Sequence, residues 1–206
     1  MAFKDDHRIF ETLRMWIISG RLESGQNLLP GELAEDLASS TVPVREALIR
    51  LAERGMVDYS RGKGFAVAQT SINDQIEMIR LSSHIFDLGI RSAANLPFLE
   101  DRIARYSAFV DARLKETHAE YDLAEVCLAE FKRLFFSEAS RFVLDKVLDV
   151  GFMAKRIWAD ENRDRVVHAV THGLELIKER RFDKLADLIT TDFDHMVVVL
   201  KKKHQL

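Results

Sequence analysis

A single cysteine, Cys127, in a chain of 206 residues rules out an internal disulfide framework. It stands in an apolar run, Val126-Cys127-Leu128, where a buried structural thiol is expected before a redox sensor. No window approaches the roughly eighteen consecutive apolar residues of a membrane span. The opening MAFKDDHRIF carries neither a basic n-region nor an apolar h-region, so no secretory leader is expected and the cytoplasm is the expected location. A surplus of positive charge is missing as well: 30 Lys and Arg face 33 Asp and Glu, for a net charge of −3. Nothing in the overall balance attracts nucleic acid, and any DNA binding must come from a local patch. Internal repeats and low-complexity segments are absent, and a 47% hydrophobic composition fits folded units and not disorder. There is no Gly-rich phosphate loop, nucleophile elbow or paired-carboxylate site, so the chain is not expected to be an enzyme.

What is present is concentrated in residues 29–67. A short helix with Leu33 and Leu37 runs into a Ser-rich turn, Ser39-Ser40, and a second helix starts at Thr41. Pro43 falls in its first turn, where a missing N–H costs nothing. Val44, Leu48, Leu51 and Ala52 make one apolar stripe, which turns Thr41, Arg45, Ile49 and Arg50 outward. Two helices joined this tightly form a helix-turn-helix, and the exposed face suits a major groove. Gly55 stops the second helix. Met56 to Tyr59 and Phe65 to Val67 then read as strands around the turn Arg61-Gly62-Lys63-Gly64, a wing with two cations at its tip. From Ser40 to Gly64 five cations (Arg45, Arg50, Arg54, Arg61, Lys63) face three anions (Glu46, Glu53, Asp58), about +2 locally. That patch is small, and a dimer that doubles its phosphate contacts is the expected remedy.

Upstream, residues 6–19 have helical spacing (Ile9, Phe10, Leu13, Trp16, Ile17), and Gly25 and Pro30 mark the loop into the next helix. Downstream, Gln69-Thr70-Ser71 is a polar linker with Thr70 or Ser71 as an N-cap. Strand signals vanish from Ile72 onward, and apolar recurrence predicts six helices, over roughly 72–95, 98–117, 121–139, 141–159, 162–180 and 182–203. The expected architecture is mostly α, a winged helix-turn-helix over residues 1–70 followed by a six-helix bundle over 71–206.

The order helix, Ser-rich turn, Pro-Val-Arg-Glu-Ala-Leu, Leu-x-x-x-Gly-Met-Val and basic wing resembles the winged helix-turn-helix of GntR-type bacterial transcription regulators. The resemblance implies phosphate and base contacts at Ser40, Arg45, Gly62, Lys63 and Gly64, to which the outward phase and the wing add Thr41, Arg50 and Arg61. Two departures stand out: Thr41 occupies a position that is often Arg, and Gly31 falls where some members carry a DNA-facing Arg. The helical remainder is similar to the effector-binding and dimerisation (FCD) domain of the FadR branch, through Met78-Ile79-Arg80, Glu130-Phe131, His172-x-x-x-Leu-Ile and the last helix with His195. Many members of that branch hold a metal with one Asp and three His.

Here that ligand set is broken. Leu128 stands where the resemblance puts the Asp and Lys132 where it puts the first His, leaving His172 and His195. Leucine does not ligate, an ammonium repels a divalent ion, and two imidazoles are too few for a retained metal. No cofactor is expected; a metal, if held at all, would fall to His168, His172 and His195. Lys132 instead either supplies the missing positive charge, holding a carboxylate effector with Arg80, His84, His172 and His195, or snorkels to solvent beside satisfied core histidines. The expected function is a homodimeric, ligand-responsive transcriptional repressor that binds a palindromic double-stranded DNA operator and a small organic anion, with no membrane partner. The alternatives are a bundle that only dimerises and a helical metalloenzyme with a DNA-binding head.

Overall fold

The computed structural model describes the backbone of residues 2–115, 120–161 and 163–205, and side chains over 7–115, 127–149, 165 and 168–205. It divides the chain into two compact units. The first holds residues Met1–Gln75 and Leu148–Arg156, the second Ile76–Val147 and Ile157–Leu206.

In the first unit α1 (Ala2–Ile18) packs on α3 (Thr41–Glu53), with α2 (Pro30–Asp36) between them in sequence. Ile9, Phe10, Leu13, Ile17 and Ile18 of α1 meet Val44, Ala47, Leu48 and Leu51 of α3 in a core sealed from water. Each of these side chains except Ala47 stabilises the unit by about 1.5–3 kcal/mol through lost apolar surface. Pro30 is the first residue of α2 and not part of the preceding loop, because proline's fixed φ and absent N–H suit a first turn. Ser40 enters α3 with extended backbone, and Gly55, at φ 76°, ends it in a conformation that glycine adopts without strain.

Strands β1 (Asn27–Leu28), β2 (Val57–Ser60) and β3 (Gly64–Val67) form an antiparallel sheet in the order β1-β3-β2. Leu28 pairs with Phe65 and Val57 with Val67; these four side chains are buried and tie the sheet to the helices. Two residues are too few to carry an alternation, so β1 leaves no periodic signal in the sequence.

The second unit is helical: α4 (Ile72–Arg91) enters it from the first, followed by α5 (Leu99–Arg113), α6 (Glu120–Phe135), α7 (Glu138–Glu161, of which Leu148–Arg156 belongs to the first unit), α8 (Arg163–Lys178) and α9 (Phe182–Lys203). Ser71 caps α4 reciprocally: the Asp74 N–H donates to Ser71 Oγ at 3.1 Å, and the Ser71 N–H donates to the Asp74 carboxylate at 3.3 Å. The first bundle helix ends at Arg91, short of the expected 95, and Ala93–Asn95 tightens into a 3-10 turn before Pro97. Proline disfavours helix in the residue before it, so the chain leaves α4 early. The sequence ends expected at 117 and 162 lie outside the described residues. Phe86 is the hub of the core. Its ring lies 5.9 Å from Phe131, 5.5 Å from Phe136 and 5.6 Å from Phe193, and Phe131 continues the cluster to Tyr106 and Phe135.

Candidate nucleic-acid interface

The buried stripe of α3 leaves Thr41, Val42, Arg45, Glu46, Ile49 and Arg50 exposed. Arg45 and the wing share a groove of about 430 Å³ whose walls include Asn27, Tyr59, Gly62, Lys63, Gly64 and Phe65, with no acidic residue among them. The Arg45 guanidinium lies 5.8 Å from the Phe65 ring centroid, and the ring of Tyr59, the residue opposite Phe65 on β2, lies tilted against it at 4.8 Å. No carboxylate among the described residues pairs with Arg45, Arg61 or Lys63. Their charge is available to a phosphate. Gly62 and Gly64 both sit at positive φ, 88° and 85°, with open space around a would-be Cβ, so backbone conformation and not crowding calls for glycine at the tip.

Of the residues expected to meet DNA, the groove gathers Arg45, Gly62, Lys63 and Gly64. Ser40, Thr41 and Arg61 are exposed beyond its walls. Arg50 is exposed as its phase requires, yet its guanidinium lies 4.2 Å over the Phe10 ring of α1, a cation–π contact that draws it to the α1 side. Asn27 and Tyr59 are groove residues that sequence reasoning did not single out. Asn27 is brought in by the pairing of β1 with β3, which no local pattern carries, and Tyr59 by its place opposite Phe65 in the β2–β3 hairpin.

In the helical unit, Lys132 is half-buried and its ammonium is bound to the Asp145 carboxylate. Leu128 is half-buried and offers no ligand atom. His168 and His172 stack at 5.4 Å, and His172 Nδ1 lies 3.5 Å from Glu175. On the facing helix Asp192 accepts from Arg165 Nε at 3.0 Å. Burial pushes the Asp192 carboxyl above its ordinary range, offset in part by Arg165, His195 and His168. Among the described residues no three His, Cys, Asp or Glu side chains converge on one point. The trio His168, His172 and His195 therefore makes no ligand set here, and the residues do not fit the metal of the FadR branch. Arg80 and His84 are exposed, outside the α4 stripe of Ile76, Ile79, Phe86 and Ile90. His84 donates from Nδ1 to the Arg80 carbonyl at 2.7 Å, so neither side chain joins Lys132 in a common pocket wall.

The family model of bacterial regulatory proteins, gntR family, matches residues 6–67. The chain carries a gntR-family DNA-binding domain. The match begins in α1 and ends on the last residue of β3, so the gntR-family domain contains the whole groove, recognition helix and wing together. Among solved structures, McbR/YncC of E. coli aligns over 97% of this chain and 98% of its own at 14% identity, with a TM-score of 0.73. A GntR regulator of Rhodococcus sp. RHA1 aligns over 96% and 97% at 18% identity, TM-score 0.68. Both likenesses run through the helical unit and establish a shared fold. No curated protein sequence matches. Among the described residues no helix is long and apolar enough to cross a membrane.

The free thiol of the helical unit behaves as a core group. Cys127 is 2% exposed, and burial pushes its pKa up to about 11, Arg113 pulling slightly the other way. An unfolded thiol ionises near 8.5. Because the thiolate is the reactive form, labelling of native protein by a thiol reagent at pH 8 should be at least tenfold slower than in urea. Equal rates would show that the α6 core opens freely.

Proposed function

We propose that the protein is a homodimeric transcriptional repressor, its residues 1–70 binding a palindromic operator and residues 71–206 forming an FCD-type domain that dimerises and senses a small carboxylate. The observation that carries the reading is the groove between α3 and the wing, lined by Arg45 and Lys63 and by no acidic residue. A single groove supplies few phosphate contacts, and two of them on one palindrome multiply the counterion release. In the helical unit Lys132, His172 and His195 remain the groups suited to a carboxylate. An anion there must compete with Asp145 for the Lys132 ammonium, which favours a compact, doubly charged effector over a weak one. Release of DNA then follows only from a difference in effector affinity between the two dimer arrangements. The protein acts in the cytoplasm, by binding and not by catalysis.

The test is selection of duplexes from a random library, followed by salt titration of the selected site. Arg45→Ala should weaken binding by about 1–3 kcal/mol, and Lys63→Ala should lower the salt slope by about one unit. Arg50→Ala, held to Phe10, should change affinity less than Arg45→Ala. Failure to select any duplex, or wild-type binding by both the Arg45 and Lys63 variants, overturns the reading. Sedimentation at micromolar concentration should give twice the chain mass; a monomer alone would remove the dimer from it.

A further inference from the structure

Asp149 is 1% exposed, the one carboxylate among the described residues that is buried from solvent. Both of its oxygens are engaged by guanidinium groups of the same compact unit. Arg14 Nε of α1 donates to Oδ1 at 2.8 Å, and Arg54 Nη1 donates to Oδ2 at 2.7 Å. The Arg14 side chain is itself 8% exposed and lies 3.6 Å from Glu11; the Arg54 side chain is 26% exposed. Arg54 is the C-cap of α3, and its guanidinium also stands 5.0 Å from the Phe10 ring. The segment Leu148–Arg156 of α7 thus belongs to the DNA-binding unit, more than ninety positions downstream of the helix that it holds.

We infer that Asp149 is a positioning residue for operator binding: it clamps the C-terminal end of α3 to α1, and so fixes where Arg45 points, without meeting DNA. Charge and geometry both require it. Two guanidinium groups are brought to one buried point, and only an anion with two free oxygens satisfies both. Arg45 lies nine residues before Arg54, about 13 Å along the helix axis. A tilt released at one end of α3 is therefore carried to the groove at the other. This role rests on operator binding as the proposed function, and the readouts below separate the two.

The experiment compares full-length wild type with Asp149→Asn, Arg54→Gln and the double variant, each checked as a folded dimer by circular dichroism and sedimentation. On a selected duplex, Asp149→Asn and Arg54→Gln should each lower affinity tenfold or more. The double variant should fall little below either single one, since both remove the same clamp. The salt slope should stay at its wild-type value, because no phosphate contact is lost; a slope reduced by one unit would make Arg54 a DNA ligand and overturn the positioning role. Wild-type affinity in both single variants, or fully additive losses, would also overturn it. If Asp149→Asn does not fold, Arg54→Gln carries the test, and unchanged affinity in that variant sinks the inference. Should wild type itself bind no duplex, the proposed function fails instead. The clamp is then read from the same cycle in melting temperature, where additive shifts would refute it.

Discussion

Phe86→Ala should destabilise the helical unit by about 3–5 kcal/mol, the range for truncating a large aromatic in a packed core. Phe86 is 1% exposed and its ring touches three others, Phe131 of α6, Phe136 of the α6–α7 link and Phe193 of α9. Truncation removes the ring's transfer energy and leaves a void bounded by Phe131, Phe136 and Phe193. These are themselves held, Phe131 by Tyr106 and Phe135, so the void closes poorly. Urea unfolding followed by circular dichroism should show the midpoint falling while the slope is preserved. A loss under about 1 kcal/mol would mean that the surrounding rings collapse into the space and that the cluster is softer than its geometry implies.

The second large effect comes from adding one carbon. A Cβ on Gly89 would collide with Phe136 Cε1 and stand 2.5 Å from Cζ, far inside van der Waals contact. Alanine is otherwise the better helix former by about 1 kcal/mol, so propensity alone predicts that Gly89→Ala stabilises α4. Overpacking should win, with a net loss of about 1–3 kcal/mol, because Phe136 is 6% exposed and lies edge-on to Phe86. The sign is thus diagnostic. Gly89→Ala combined with Phe136→Leu should recover most of the loss, and in a Phe86→Ala background the added methyl should cost less, since Phe136 gains room to move. Stabilisation by Gly89→Ala alone would show that the ring swings aside without cost.

Both effects depend on long-range neighbours, and the same distinction separates what the sequence disclosed from what it withheld. The winged helix was legible because its determinants are local: Pro43 in a first turn, the Val44, Leu48, Leu51 stripe, Gly55 at a helix end, glycines at the wing tip. Phase alone also put Arg45 and Arg50 outside, but it did not say that Phe10 would claim one of them. Arg80 entered the candidate effector set through a resemblance and His84 by lying one helical turn after it, while the stripe Ile76, Ile79, Phe86, Ile90 already excluded both from the packed face. Asp149 was the hardest to see. An acidic residue in a helix reads as a solvated position, and only its meeting with Arg14 and Arg54 reveals it as a buried one. Lys132 stood out by position, yet its partner Asp145 lies in the next helix and no spacing rule links them.

The pairing of β1 with β3 has a consequence in time. β2 and β3 are joined by a short turn and need nothing else to meet, so that hairpin is free to close in about 1–10 μs. β1 joins β3 only across the whole of α2 and α3, with Asn27 against Ala66. That closure bears the loop entropy of the intervening chain and is worth making only once the two helices have packed. The wing should therefore acquire its final register last. The Val67 amide, which donates to the Gln26 carbonyl, and the Gly25 amide, which donates to Val67, mark this step. In hydrogen exchange they should open together with the α1–α3 core and not with the hairpin turn, so that the basic tip of the wing is held in register by the last event of the unit's folding.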